Sequence, residues 1–103
     1  MNPKVEDEVK RIEFIIRMVA KEFGVDAADL QVRSRIPEVI EARQVVMFMA
    51  WHSYTLTGIG QALDGRTPAT ISHGYQVIVQ RLRTSERLRR KVENVKSLLK
   101  EGE

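Results

Sequence analysis

Cysteine is absent from the 103 residues, which removes disulfides and thiolate metal sites from consideration. No apolar run approaches the roughly 20 residues of a membrane-spanning helix. Residues 45–51 form the most apolar stretch and are far too short. The opening MNPKVEDEVK lacks the hydrophobic core of a signal peptide. These absences predict a cytoplasmic protein with no membrane partner. The sequence also lacks a nucleophile–base pair, metal-ligand spacing and a phosphate-cradling glycine loop. Asp64-Gly65-Arg66 is a turn and not a P-loop. The expectation is therefore no enzyme, no cofactor, no metal and no ATP.

What is present is enough for one domain, residues 1–103. Hydrophobic residues make up 43% and charged residues 30%, a balance that supports a modest core and excludes disorder by composition. The formal charge of +3 says little alone, because many small proteins are mildly basic. Its distribution says more. The first ten residues hold three acids and two bases, whereas residues 81–90 hold five arginines (Arg81, Arg83, Arg87, Arg89, Arg90) against Glu86. Arg33, Arg35 and Arg43 form a smaller basic group. Clustered arginines suit a dense line of phosphates better than a net total does.

The spacing of apolar residues predicts an all-helical chain. Val5, Val9, Ile12, Ile16, Val19, Ala20 and Phe23 make one stripe at helical spacing, and Gly24 ends that helix by accepting a left-handed backbone. Asp26 is placed to cap a short second helix ending near Val32. Pro37 opens a third, running to His52 or Ser53, apolar almost all round from Val45 to Trp51 and so the most buried element. Thr55 or Thr57 can cap a short helix through Leu63. Thr67-Pro68 then starts a longer one, with Ile71, Tyr75, Ile78 and Leu82 as its buried stripe. Ser85 can cap a last helix over residues 85–100, with Leu88, Val92, Val95 and Leu99 on one side.

The informative segment is residues 56–80, LTGIGQALDGRTPATISHGYQVIVQ. A short helix, a glycine turn and a longer helix is the layout of a helix-turn-helix, whose second helix offers its first turn to the major groove. Thr67, Ala69, Thr70, His73 and Gln76 lie off the buried stripe and should face outward. Gly74 inside this helix costs about 1 kcal/mol relative to alanine, which points to a close helix–helix contact. This pattern fits a DNA-binding unit and an ordinary helical hairpin equally well.

Several blocks, in order, resemble the C-terminal DNA-binding domain of the bacterial replication initiator DnaA. They are VAKEFGVDAADL, the RSR of Arg33 to Arg35, ARQVVMFMA from Ala42, LTGIGQALDGR and TPATISHGYQVI. The resemblance is strongest over residues 19–82. It implies a small helical bundle related to the Trp repressor, with extra N- and C-terminal helices, and double-stranded DNA as partner. It also implies roles for single residues. Arg35 falls on the basic-loop arginine that enters the minor groove, with Arg33 beside it. Arg43 and Gln44 match the pair that opens the family's central helix near DNA. Arg66 matches the arginine of its Gly-Gly-Arg turn, Thr70 the second threonine of its base-reading run, and His73 the histidine that follows.

There are departures. Where the family has Asp-His-Thr, this chain has Thr67, Pro68 and Ala69. Proline donates nothing to a base edge, and alanine can touch only a thymine methyl, so altered or weak sequence specificity is expected. Ile36-Pro37 replaces residues that are usually polar or basic, and two residues are missing near Tyr54-Thr55. No ATPase domain accompanies the segment, so the expectation is a stand-alone copy of the DNA-binding domain. The alternative is a helical interaction module, with residues 5–23 and 87–100 forming a homodimer interface. On the residues themselves, Arg43 has no favourably spaced acid on its own helix, since Glu38 and Glu41 lie five and two positions away. That predicts a guanidinium available to phosphate.

Overall fold

The computed structural model describes residues 2–102, so the outermost position at each end of the 1–103 span lies outside the described residues. Among the described residues there are six helices and no strand: α1 (Pro3–Phe23), α2 (Ala27–Leu30), α3 (Pro37–Ala50), α4 (Leu56–Ala62), α5 (Pro68–Leu82) and α6 (Glu86–Glu101).

Local chemistry accounts for most of the boundaries. α1 begins earlier than its apolar stripe, because Asn2 accepts from the Lys4 N–H at 2.8 Å and Pro3 occupies the first turn. It ends at Gly24 in the left-handed conformation. Asp26 has the extended backbone of a cap, but its carboxylate makes no capping bond, and α2 is one turn long. α3 starts at Pro37 and stops at Ala50, short of the expected His52 or Ser53. Of the two candidate caps for α4, Thr55 is the one used, accepting from Gly58 N–H at 3.1 Å. Thr67 and Ser85 cap α5 and α6 as their positions predict.

α3 is the central element. Val39, Ala42, Val45, Val46, Met47 and Ala50 are buried along it, and α1 and α5 pack against it. Ile71 and Ile78 of α5 enter the same core, which Ile12, Ile16 and Val19 of α1 complete. Leu88, Val92 and Val95 of α6 are also buried, and α6 lies on α1. The apolar stripes of α1 and α6 thus pack within one chain, with Val5, Val9, Phe23 and Leu99 left part-exposed.

Two glycines bring elements unusually close. A Cβ on Gly74 would collide with the Met47 sulfur, so the expected close contact is the α3–α5 crossing. A Cβ on Gly60 would collide with the backbone carbonyl of Arg66, which seats the α4–α5 turn on α4. At α4's other end, Glu8 of α1 accepts from the Thr55 hydroxyl at 2.6 Å and from its N–H at 3.3 Å. Gly60→Ala should cost about 1–3 kcal/mol, since a carbonyl in a fixed turn cannot yield. Gly74→Ala should cost less, because a methionine side chain can shift and alanine favours the helix. Urea midpoints at unchanged m-value measure both, and the reverse order would contradict this account.

Candidate nucleic-acid interface

The turn between α4 and α5 is built for a sharp change of direction. Asp64 and Gly65 both adopt the left-handed conformation, at φ 65° and 66°. Only the second is a glycine, so Asp64 carries backbone strain. Arg66 N–H then donates to Gly60 O at 3.0 Å, closing the turn. Thr67 Oγ1 accepts from Thr70 N–H at 3.3 Å and lies 3.1 Å from the Thr70 hydroxyl. The N-terminus of α5 is therefore locally capped.

Thr67, Ala69, Thr70, His73 and Gln76 are all exposed, as their positions off the stripe require. Ala69, His73, Gln76 and Gln80 follow at spacings of four, three and four and form one outward row. Gln80 is exposed as well. It was recoverable from that spacing but not singled out above. On the flank of this row, Tyr75 stacks on Trp51 at 4.3 Å and on Phe48 at 5.7 Å. The Met47/Phe48/Met49/Trp51 cluster is thus core with a half-exposed edge.

Beside the start of α5 lies the loop from α2 to α3. Arg33 and Arg35 are exposed in it, and Ser34 Oγ accepts from Ile36 N–H at 3.1 Å, bending the chain toward Pro37. The expectation for Arg43 needs correction. It is 6% exposed and its guanidinium is engaged with backbone. Nε donates to Leu30 O and Nη2 to Asp29 O, each at 3.1 Å, and Nη2 also donates to Val32 O. Spacing along its own helix missed this because the partners are carbonyls at the end of α2, where a helix leaves its last acceptors unsatisfied. Gln44 is half-buried, with its stem against Gly74.

Arg66 approaches from the other side. Its Nε donates to Leu63 O at 3.1 Å, while Nη2 is buried with no hydrogen-bond partner. Arg33, Ser34, Arg35, Arg43 and Arg66 together line a cleft of about 370 Å³. Burial, and then the charge of Arg66, hold the Arg43 guanidinium below the ordinary arginine pKa, with Asp64 opposing. Four arginines around one small cleft make a place where an oxyanion would be stabilised. Of the ten residues singled out in the sequence, the fold gathers these four arginines around one cleft. It places Thr67, Ala69, Thr70, His73 and Gln76 along the adjoining helix.

A short capped helix, a strained two-residue turn and a capped helix with a polar outer row, set beside an arginine-lined loop, define a helix-turn-helix unit. The chain belongs to the bacterial DnaA protein helix-turn-helix family, whose model matches residues 12–78. It is similar to the chromosomal replication initiator protein DnaA of Porphyromonas gingivalis, 30% identical over 98 residues, which is 93% of this chain and 21% of the relative. The same-named protein of Streptococcus equi subsp. zooepidemicus is 33% identical over 91 residues, 86% of this chain and 20% of the relative. That of Bacteroides thetaiotaomicron is 28% identical over 97 residues, 92% and 21% respectively. The chain thus spans about a fifth of the length of these curated relatives. No helix is long and apolar enough to cross a membrane among the described residues.

Arg43→Lys should destabilise the protein by about 1–3 kcal/mol, because a compact ammonium cannot reproduce the guanidinium's spread of donors to three carbonyls. Amide exchange across residues 29–35 should quicken more than elsewhere. Unchanged exchange there would show that the loop is held by something other than Arg43.

Proposed function

We propose that this chain binds duplex DNA, with the first turn of α5 at the major groove and the loop of Arg33 and Arg35 on the adjoining backbone and minor groove. The observation that carries the reading is the arginine cleft at the foot of α5, where Arg66 Nη2 is buried without a partner. Arg33, Arg35 and Arg66 are the phosphate-contacting groups. Arg43 acts from behind, fixing the loop by its carbonyls and adding positive potential. The family relation supports the reading, since the named relatives are replication initiators.

Sequence reading by α5 is limited by its own chemistry. The Thr67 hydroxyl is engaged as a cap, Pro68 has no donor, and Ala69 offers one methyl group. Thr70, His73, Gln76 and Gln80 remain for base edges, with Gln44 at the side. Phosphate contacts therefore carry most of the affinity, and specificity differs from that of a family member with Asp-His-Thr in this turn.

Duplex binding should be detectable at low salt with a dissociation constant on the order of micromolar, and should weaken steeply with added salt. Arg33→Ala and Arg35→Ala should each reduce the salt slope by about one. Thr70→Ala should alter the sequences recovered from a random-duplex selection and leave the slope in place. Binding that is absent at low salt, or indifferent to both arginine changes, would rule the reading out.

A further inference from the structure

Glu41 joins three helices. Its carboxylate, projecting from α3, accepts from Arg87 Nη2 of α6 at 2.7 and 2.9 Å, and from Arg81 Nη1 at the end of α5 at 3.3 Å. The exposures are lopsided. The Glu41 side chain is 12% exposed, whereas those of Arg81 and Arg87 are 54% and 58% exposed. The acid sits at the bottom, and the two guanidiniums present their outer edges to solvent. They form the rim of a cleft of about 550 Å³ that also includes Gln44 and Glu38.

This cleft lies on the proposed DNA side. Arg81 is eleven residues beyond Thr70, three turns along the same flank of α5, or about 16 Å. Gln44 stands between, against Gly74. Glu41 raises the pKa of Arg87 through its hydrogen bonds and its charge.

We propose that Arg81 and Arg87 are a second phosphate seat, distinct from the loop cleft, and that Glu41 occupies it as a resident carboxylate in the free protein. The inference rests on the duplex-binding reading. A backbone phosphate takes the outer N–H groups of both arginines, and the Glu41 pairings loosen in exchange. Ion pairs with one partner this exposed are held weakly enough for that exchange. Glu41 thereby sets the affinity and salt dependence of the whole interface, and the cost it imposes keeps binding weak where the duplex backbone does not reach the α5–α6 corner.

The test compares two substitutions that change net charge equally on one helix. Glu41→Gln should tighten binding to a mixed-sequence duplex about tenfold at low salt and steepen the salt slope by about one to two, as two arginines become available. Glu38→Gln, which lines the same cleft, should tighten it about twofold at most. Adding Arg81→Ala and Arg87→Ala to Glu41→Gln should abolish the gain. Without any substitution, the side-chain NMR signals of Arg81 and Arg87 should shift when a short duplex is added to the native chain. If the chain binds DNA and Glu41→Gln does no better than Glu38→Gln, or if those signals stay still, the seat is wrong and the duplex reading stands. If neither the native chain nor Glu41→Gln binds at low salt, both fall.

Discussion

The proposed interface depends on a buried guanidinium. Arg43 rises from the central helix and gathers the carbonyls at the end of α2, which have no helical partners of their own. That bond set ties the end of α2, and with it the start of the loop of Arg33 to Arg35, to α3. Since α5 is seated on α3 at the glycine contact, the loop and the outward row of α5 share one reference. Here it comes from backbone acceptors rather than from an acid, which leaves the local charge positive.

Much of this was legible in the sequence, and the reasons are physical. Thr67-Pro68 and Ser85 are caps whose action depends only on neighbours, so their helices begin where expected. The stripe of Ile71 and Ile78 needs only a helical period, and both residues are fully buried. Gly74 is unfavourable in an isolated helix, which is why it pointed to a crossing. The start of α1 was missed by two residues because Asn2-Pro3 signals a helix through capping and not through apolar spacing.

The long-range pairings were not legible. Arg43 finds carbonyls eleven to fourteen positions away, and Glu41 finds arginines forty and forty-six positions away. Spacing rules for charged pairs cover three or four residues on one helix, so they classify both side chains as solvated. The arginine run of residues 81–90 shows the same limit. It reads as one basic face, but Arg89 turns back to the Leu82 carbonyl and Arg90 pairs with Glu86. Only the folded chain separates arginines that are engaged from those that remain on offer.

The hydroxyl of Thr55 does two jobs, capping α4 and donating to a carboxylate that belongs to α1. Glu8 thus completes, from 47 positions upstream, the start of the first helix of the helix-turn-helix. The unit is consequently not a cassette. Residues 55–82 lifted onto another scaffold would leave behind the acid that steadies α4 and the helix that shapes α5. Anyone trimming this domain to its helix-turn-helix would have to keep the second turn of α1, which supplies Glu8.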